Sequence, residues 1–335
     1  MRTLNRRQFL SFAERARPAP SGYWVHVARE AMACRFEVTL PASDPGGIAA
    51  ARSALDEIER LEAQLTVYQE SSEVSAINRR AGEAAVAVEP SLFSLLSLAE
   101  KLHRETDGAF DLTLGPLIRC WGFFQREGRI PGPEVLEAAR RRVGMSHLAL
   151  NAADRTVRFL RPGVEINLGA IGKGHALDQV CANLRRRKVS NALLSGGSSS
   201  IVAIGGDDQG WVVGIRHPRK RDSRVATLRF RDSALATSGA GEQYFVSENR
   251  RYGHILDPRS GVPARGVAGV TVVATSGAVA DALSTAFFVG GSELADRYCR
   301  NHPDVLALIV REDPTSRPEI FGSHPGARIE SLAMD

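Results

Sequence analysis

The sequence is poor in the residue types that mark several classes of protein. It has 4 cysteines among 335 residues, and none of them stands in a Cys-x-x-Cys pair or another close metal-binding spacing. We therefore expect unpaired core thiols, which suit a reducing compartment. No stretch beyond the N-terminal segment approaches the roughly eighteen apolar residues of a transmembrane helix, so no integral membrane segment is expected.

Positive charge exceeds negative charge only slightly, since the formal net charge is +5. Basic residues cluster at 185–188 and 216–224, but neither cluster has the aromatic residues or the motif that nucleic-acid binding needs. We expect solvated surface at these clusters, with attraction to anionic ligands or partners as the alternative, and no nucleic-acid partner.

The N-terminal segment matches an export signal only in part. Arg6 to Leu10 (RRQFL) has the look of a twin-arginine signal, but Ser11 to Pro20 carries charges where an apolar run of roughly seven to fifteen residues should follow. A cytoplasmic location is favoured, and periplasmic export through a degenerate signal is the alternative. We expect residues 1–22 to be disordered, residues 23–325 to form a single domain, and residues 326–335 to form a tail.

Helical and strand periods are mixed along the chain. Apolar spacing predicts helices near 44–65 and 90–104, and a third helix that follows the glycines at 169–174 and ends near residue 187. Runs of β-branched or alternating residues predict short strands between Gly and polar turns. Residues 66–78 are expected to be a polar connection. Helices scattered among many hairpin-linked strands indicate an α+β fold with mostly antiparallel sheets and flanking helices.

The most informative stretch runs from Gly269 to Gly291 (GVTVVATSGAVADALSTAFFVGG). A β-branched strand is followed by a break and then by an apolar helix, in which Asp281 and Thr285 share one face. No Lys or Arg within this helix can pair the carboxylate, and a carboxylate with a hydroxyl suits a hard cation such as Mg²⁺. The alternative is that Asp281 interacts with the N-terminus of its own helix.

A second stretch, Val164 to Asp178 (VEINLGAIGKGHALD), places Lys173 among closely spaced glycines ahead of a helix. Such glycines let backbone N–H groups approach a phosphate, and the lysine would add charge. The stretch matches neither of the common phosphate-loop patterns, so a tight strand-to-helix turn is the alternative. Further along, His254 in GHILDPRSG is either a hydrogen-bonded core residue or a catalyst.

Five segments in order resemble one family. GAFDLTLGPL, NLGAIGKGHALD, TSG, GHILDPRSG and ADALSTAFFVGG are similar to the motifs of the FAD:protein FMN transferases, the ApbE family, from about residue 32 to about residue 310. The resemblance implies an ApbE-like flavin transferase fold. It also implies Mg²⁺-dependent transfer of FMN from FAD to a Thr hydroxyl of an acceptor flavoprotein, with release of AMP.

The resemblance also implies roles for particular residues. His254 falls on the position of a general base, and Lys173 on a position that contacts FAD and neutralises charge. The positions that match metal ligands are Ala170, through its carbonyl, Asp281, Ser284 and Thr285. The other positions that match FAD contacts are Met32, Tyr68, Ala109, Phe110, Asp111, Asn167 and Ile255.

The chain departs from the family pattern at four places. The family usually has MGT at residues 32–34, Asp at Asn167, Gly-Asp at residues 197–198 and an acidic residue at Ala240. Two alternatives to transfer are therefore kept: an Mg²⁺-dependent FAD pyrophosphatase that gives FMN and AMP, and a non-catalytic flavin-binding protein.

Overall fold

Seven α-helices and seventeen strands form in the part of the chain that the computed structural model describes, residues 13–14, 23–206, 210–220 and 222–332. The helices are α1 (Gly47–Leu65), α2 (Glu73–Arg80), α3 (Pro90–Glu105), α4 (Gly115–Cys120), α5 (Pro133–Arg140), α6 (Gly172–Arg186) and α7 (Gly277–Asn301). The strands are β1 (Ala13–Glu14), β2 (Trp24–Ala31), β3 (Cys34–Pro41), β4 (Val86–Ala87), β5 (Leu148–Asn151), β6 (Thr156–Phe159), β7 (Ala192–Gly196), β8 (Ser200–Ile204), β9 (Trp211–Arg216), β10 (Arg224–Phe230), β11 (Ala234–Gly239), β12 (Tyr244–Ser247), β13 (Arg250–Gly253), β14 (Val267–Ala274), β15 (Leu306–Arg311), β16 (Glu319–Gly322) and β17 (Ala327–Leu332).

The strands pair in antiparallel fashion throughout the described residues. The largest sheet has eight strands in the order β16-β15-β14-β11-β8-β7-β3-β2, and a second sheet has the order β1-β9-β10-β17. Smaller sheets are β4-β6-β5 and the hairpin β12-β13. The predicted α+β fold with mostly antiparallel sheets and flanking helices is thus confirmed.

The central strands of the eight-stranded sheet are buried on both faces. Along β14, Val270 and Val272 face a core shared with the helices, whereas Val273 faces a second core shared with β9 and β10. Because a strand side chain alternates between the two faces, a strand buried on both sides is apolar along its whole length. The apolar run at 269–274 therefore has a physical origin, and all eight residues of β14 are buried.

Helix α7 carries the predicted strand–break–helix pattern, with one interruption. Ser276 caps its start by accepting a hydrogen bond from the N–H of Val279 at 3.2 Å. Gly291, at φ 68°, interrupts the helical geometry. The apolar helix predicted before Gly291 therefore continues to Asn301 with a kink at that glycine, since a glycine can adopt positive φ without steric cost. No helix in the described ranges is long and apolar enough to span a bilayer.

An aromatic cluster joins helix α4 to the β12–β13 hairpin. The rings of Phe245 and Tyr252 on the hairpin stack with centroids 5.1 Å apart, and Trp121 lies 5.8 Å from Tyr252. Trp121 also donates a hydrogen bond from its ring N–H to the carbonyl of Gly261 at 2.8 Å. This packing fixes the hairpin against the segment after α4, and His254 follows the hairpin directly.

Two sequence expectations needed correction. Residues 66–78 are not all a connection, because helix α2 begins at Glu73, where Ser72 caps it and Val74 and Ile77 are buried. The expected tail contains β17, which pairs with β10 and packs Ile329 against the second core. The β12–β13 hairpin was not predicted at all. Of the N-terminal segment, the structure describes only β1, which pairs with β9, and the twin-arginine-like motif lies outside the described residues.

Candidate functional site

Asp281 is buried where helices α6 and α7 meet the sheet. One carboxylate oxygen accepts the backbone N–H of Gly174 at 2.6 Å, and the other accepts the hydroxyl of Ser200 at 2.6 Å. The side chain is 7% exposed, so these two donors replace water around a charge that would be costly to bury alone. Asp281 is therefore held in one position by α6 and β8.

The N-terminus of α7 is satisfied by groups other than Asp281. The carboxylate of Asp178, on α6, accepts the N–H of Gly277 at 2.7 Å and that of Ala278 at 2.9 Å. Ser276 caps the same turn. The alternative interpretation, in which Asp281 interacts with the start of its own helix, is wrong, because its oxygens are directed to Gly174 and Ser200.

The glycine run before α6 is explained in part by helix packing. A Cβ atom on Gly174 would lie 2.0 Å from the carbonyl oxygen of Gly277, so the two backbones touch where only glycine fits. The N–H of Gly174 is occupied by the carboxylate of Asp281. Gly174 thus brings the two helices together and does not offer its N–H to a phosphate.

Lys173 lies in the first turn of α6, beside Asp281. Its ammonium donates to the hydroxyl of Ser199 at 2.5 Å, at the turn between β7 and β8. Burial acts to lower the pKa of Lys173, but the negative charge of Asp281, with a further contribution from Glu242, raises it above the ordinary value. The lysine is therefore a cation at neutral pH, next to a carboxylate that it does not contact through a hydrogen bond in this structure.

Three hydroxyl groups lie near Asp281 on the next turn of α7 and on β11. Ser238 is 2.8 Å from Ser284 and 3.3 Å from Thr285, measured between hydroxyl oxygens. Ser284 also donates to the backbone carbonyl of Asp281 at 2.9 Å. Across the described ranges, no three His, Cys, Asp or Glu side chains are grouped to hold a metal ion. A cation here would depend on one carboxylate with hydroxyl and carbonyl oxygens, a donor set that suits Mg²⁺ and not a soft metal.

His254 is half-buried and is oriented by its backbone neighbour. Its Nδ1 lies 3.0 Å from the carbonyl oxygen of Gln243. Because a carbonyl can only accept, Nδ1 carries the proton and Nε2 keeps its lone pair. Burial lowers the pKa of His254 below its ordinary value, against the opposing effect of Glu242. The neutral imidazole at physiological pH is the form that can accept a proton.

Glu242 is a charged group that sequence reasoning missed. Its carboxylate is close enough to affect the pKa of Lys173, His254 and Asp281. Glu242 follows the TSG segment by three residues and lies two residues after Ala240, the position at which the family usually has an acidic residue. The only signal for Glu242 in the sequence was its closeness to Ala240, where we noted only that the usual acidic residue is missing.

Cys34 is the first residue of β3, after the β2–β3 turn, and lies close enough to Lys173 and Asp281 for their charges to affect it. Burial raises the pKa of this thiol to about 11, although nearby Lys173 opposes the rise. The thiol is therefore protonated at neutral pH and is a weak nucleophile. All four cysteines are free thiols, as predicted.

The β2–β3 turn keeps a tight geometry without the glycine that the family usually has there. Met32 and Ala33 have φ values of 48° and 59°, the left-handed values of a two-residue hairpin turn. Met32 packs against the main core from this turn. Ala33 holds a conformation that is unfavourable for a residue with a Cβ atom, by an amount of order 1 kcal/mol.

The Ala109–Asp111 segment is buried. The side chains of Ala109 and Phe110 are 0% and 1% exposed, and both oxygens of Asp111 accept hydrogen bonds, from Thr113 and from the N–H of Met145. Any contact of this segment with a ligand would therefore come through its backbone. The imidazole of His103 contacts the carboxylate of Asp111. Burial alone would lower the pKa of His103, but the carboxylate outweighs this effect and raises it.

The remaining predicted contact residues are dispersed around the site. Asn167 shapes the loop before α6, since its Oδ1 accepts the N–H of Gly169 at 2.8 Å. Ala170 lies on the same loop and is half-buried. Ile255 is buried beside His254, and its carbonyl accepts the N–H of Ala264 at 2.9 Å. Tyr68 is exposed on the loop between α1 and α2, and its ring stacks on that of Phe124.

The architecture is that of solved flavin transferase structures. The ApbE protein of Thermotoga maritima superposes with a TM-score of 0.81 at 31% identity, covering 90% of this chain and 97% of that one. Flavin transferase ApbE of Vibrio cholerae superposes with a TM-score of 0.79 at 26% identity, covering 90% of this chain and 98% of that one.

The chain belongs to the ApbE family, whose model matches residues 32–310. The FAD:protein FMN transferase of Treponema pallidum is 33% identical over 286 residues, which cover 79% of each chain. A FAD:protein FMN transferase of Klebsiella pneumoniae is 31% identical over 258 residues, covering 76% of this chain and 80% of that one. The resemblance drawn from the sequence motifs is thereby confirmed.

Proposed function

We propose that this protein transfers FMN from FAD to a Thr hydroxyl of an acceptor flavoprotein and releases AMP, with Mg²⁺ as the cofactor. The observation that carries the proposal is the placement of the Lys173 ammonium beside the buried Asp281 carboxylate, with the hydroxyls of Ser284 and Thr285 one turn away. Membership of a family with named FMN transferases supports the same reaction.

The reaction places specific demands on the pocket. A pyrophosphate carries negative charge on its oxygens, so catalysis consists mainly of positioning and of neutralising that charge. Asp281, Ser284, Thr285 and the Ala170 carbonyl would hold Mg²⁺, which supplies Lewis-acid neutralisation of the phosphate oxygens when bound. Lys173 adds a fixed positive charge, and burial of the pocket strengthens its effect.

His254 is the group that we assign to proton transfer. A Thr hydroxyl is a poor nucleophile at neutral pH until a base takes its proton. In the proposed step the hydroxyl oxygen bonds to the phosphorus of the FMN half, the bond from that phosphorus to the AMP oxygen breaks, and the Thr proton passes to Nε2 of His254. Gln243 supports this role because its carbonyl fixes the protonated nitrogen on the other side of the ring.

The test is mass spectrometry of a candidate acceptor that carries a Thr-containing flavinylation motif. The protein, FAD and Mg²⁺ should add the mass of one FMN to the acceptor, and replacement of the acceptor Thr by Val should abolish the addition. A parallel incubation with FAD alone separates the alternatives. FMN and AMP formed without an acceptor indicate the pyrophosphatase, and FAD binding with no turnover in either assay indicates the non-catalytic flavin-binding protein.

A further inference from the structure

A cavity lies next to the candidate site, and the family resemblance gives it no role. Its volume is about 530 Å³, within the range of roughly 300–1,000 Å³ for ligand pockets in proteins, and nine residues line it. None of the nine is among the positions that match FAD contacts, metal ligands or the general base. The cavity is therefore a candidate site for a second ligand.

The cavity adjoins both the candidate base and the candidate metal-binding hydroxyls. Tyr252, which lines it, lies two residues before His254. The N–H of His254 donates to the carbonyl of Gln243 at 3.0 Å, so the β12–β13 ladder continues by one pair, and residues two apart on a strand share a face. Val289, which also lines the cavity, lies one helical turn after Thr285 on the same face of α7. A chain bound here would pass close to both groups.

The loop that forms one wall of the cavity is fixed by its own backbone. The N–H of Ala264 donates to the carbonyl of Ile255 at 2.9 Å, and the N–H of Asp257 donates to the carbonyl of Val262 at 2.9 Å. These two bonds join the outgoing and returning sides of the loop at 254–265. Such preorganisation lowers the entropic cost of binding a ligand against this wall.

The lining of the cavity is aromatic and apolar over much of its surface. The rings of Trp121 and Tyr252 lie 5.8 Å apart, and the side chain of Val262 is 37% exposed. The carboxylate of Asp257 is occupied by Arg259, with Nε 2.9 Å from one oxygen and a terminal nitrogen 3.1 Å from the other. The negative charge in the lining is thus already paired.

Positive charge remains at the edge of the cavity. Arg265 lines it and is exposed, and within the part of the chain that the structure describes its guanidinium forms no ion pair. The guanidinium carbon of Arg250 lies 5.6 Å from the centroid of the Tyr252 ring. Trp, Tyr and Arg are the residue types that contribute most to binding energy at protein interfaces. A polypeptide segment that carries a carboxylate and an apolar side chain is complementary to this lining.

The proposed reaction needs a second substrate on the side of the phosphorus opposite the leaving AMP oxygen, because the attacking and leaving oxygens are roughly in line. We propose that the cavity binds the acceptor segment that carries the reactive Thr, with a carboxylate of that segment at Arg265 and an apolar side chain at Val262. The inference rests on the proposed function, which supplies the acceptor. Occupation of the cavity by a part of FAD is the competing outcome of the test.

The probe is the candidate acceptor of the transfer assay, labelled with a fluorophore away from its Thr motif and titrated against the full chain by fluorescence anisotropy. Arg265→Glu should weaken its binding by roughly ten- to hundredfold, the range of a lost charged hydrogen bond. Val262→Glu should weaken it by about three- to tenfold, since only part of this side chain is open to a ligand. FAD, titrated in parallel, should bind both variants as it binds the wild type.

Matched control variants come from the end of β6. Arg158→Glu reverses the charge of another exposed arginine, and Leu160→Glu places a carboxylate on an apolar residue that is 62% exposed. Neither residue lines the cavity. Both variants should bind the acceptor with wild-type affinity.

A charge reversal on the acceptor separates a direct contact from a disturbed loop. An acceptor whose acidic residues beside the Thr are replaced by Lys should bind the Arg265→Glu variant more tightly than it binds the wild type. Wild-type acceptor affinity in folded Arg265→Glu and Val262→Glu variants would overturn the proposal. An equal loss of affinity for FAD would also overturn it, because a part of FAD would then occupy the cavity.

FMN transfer to the acceptor is measured in the same preparations. If the wild type transfers FMN and the two cavity variants bind the acceptor normally, the acceptor site fails while the proposed function stands. If the variants lose acceptor binding but the wild type transfers no FMN, the acceptor site stands and the proposed function fails.

Discussion

Asp178 on α6 and Asp281 on α7 each accept backbone hydrogen bonds from the first turn of the other residue's helix. Each carboxylate therefore lies at the positive end of the neighbouring helix dipole, where a negative charge is favoured. The two helix starts are fixed to each other by this exchange, with Gly174 and Gly277 in contact between them. The position of the carboxylate in the candidate site is consequently set by the junction of α6 and α7.

The first prediction concerns that contact. Gly174→Ala would place a Cβ atom 2.0 Å from the carbonyl oxygen of Gly277, so the helices must separate. We expect the free energy of unfolding to fall by roughly 3 kcal/mol, the upper part of the range for overpacking, and FMN transfer to be lost. Gly172→Ala is the control, because its Cβ would meet only Leu168 at an ordinary 3.7 Å. Chemical denaturation compares the two, and equal stabilities would contradict the packing explanation.

The second prediction is a pH dependence of stability that comes from Asp178. Burial raises the pKa of its carboxyl from 3.8 to about 6, although Gly277 and Ala278 oppose the rise. The folded state thus binds this proton more tightly than the unfolded state, so the contribution to stability falls as pH rises from 3.8 to about 6. The fall amounts to roughly 3 kcal/mol. In Asp178→Asn this component should be absent. The difference in the free energy of unfolding between the wild type and the variant should therefore change between pH 3.8 and about 6. Parallel profiles would show that the carboxyl does not titrate there.

The third prediction separates the charge of Asp281 from its structural role. Asp281→Asn keeps an oxygen for the N–H of Gly174 but removes the negative charge. We expect the fold to persist, Mg²⁺ binding to be lost, and FMN transfer to fall by about a hundredfold or more. Asp154→Asn, an equal change of charge in the β5–β6 turn, is the control. Calorimetric Mg²⁺ titration and the transfer assay measure the effects, and wild-type transfer at limiting Mg²⁺ would contradict the proposed role of Asp281 as a metal ligand.

The fourth prediction concerns Lys173 and the phosphates. Lys173→Met removes the ammonium while keeping most of the length of the side chain. If the ammonium meets the pyrophosphate, FAD binding should weaken by about ten- to hundredfold, the range of a lost charged hydrogen bond, while riboflavin binding should hardly change. Fluorescence titration of both ligands gives the comparison. Equal losses for FAD and riboflavin would indicate that Lys173 stabilises the turn at Ser199 and does not contact phosphate.

The fifth prediction uses the lowered pKa of His254. Burial shifts the pKa below 6.5, so the transfer rate should rise with pH in a range below that value and level off at neutral pH. His254→Asn should remove this limb and lower the chemical rate by roughly a hundred- to ten-thousandfold, with FAD affinity little changed. Single-turnover transfer at saturating Mg²⁺ measures the rate. An unchanged rate and pH profile would leave His254 as a packing residue.

The sequence predicted the elements whose signals are local. The strand, the break and the helix around Asp281 are encoded in one continuous stretch, and Asp281 and Thr285 share a face because of helical geometry alone. Helix α2 was missed because eight residues with few apolar side chains give little periodicity. Strand β17 was missed because its alternation is short and acquires meaning only when β10 provides a partner.

The site depends on pairs that are distant in the chain. Asp178 and Gly277 are 99 residues apart, and Gly174 and Asp281 are 107 residues apart. Nothing in the sequence near any of these four residues indicates its partner. For the same reason the sequence offered a phosphate-binding loop or a tight turn for the glycine at 174, whereas in the structure this glycine makes a contact between two helices. Glu242 was missed because its proximity to Lys173 and Asp281, which are distant from it in the chain, is set by the fold.

The β12–β13 hairpin places its turn away from the candidate base. Glu248 and Asn249 form that turn with φ values of 48° and 58°, and both residues are exposed. Four paired residues on each strand, about 13 Å of ladder, separate them from His254. Lengthening a surface turn costs little, about 0.6 kcal/mol for each doubling. The hairpin tip is consequently a suitable insertion point for a peptide tag. Through such a tag the protein could be immobilised or labelled without altering the surroundings of His254.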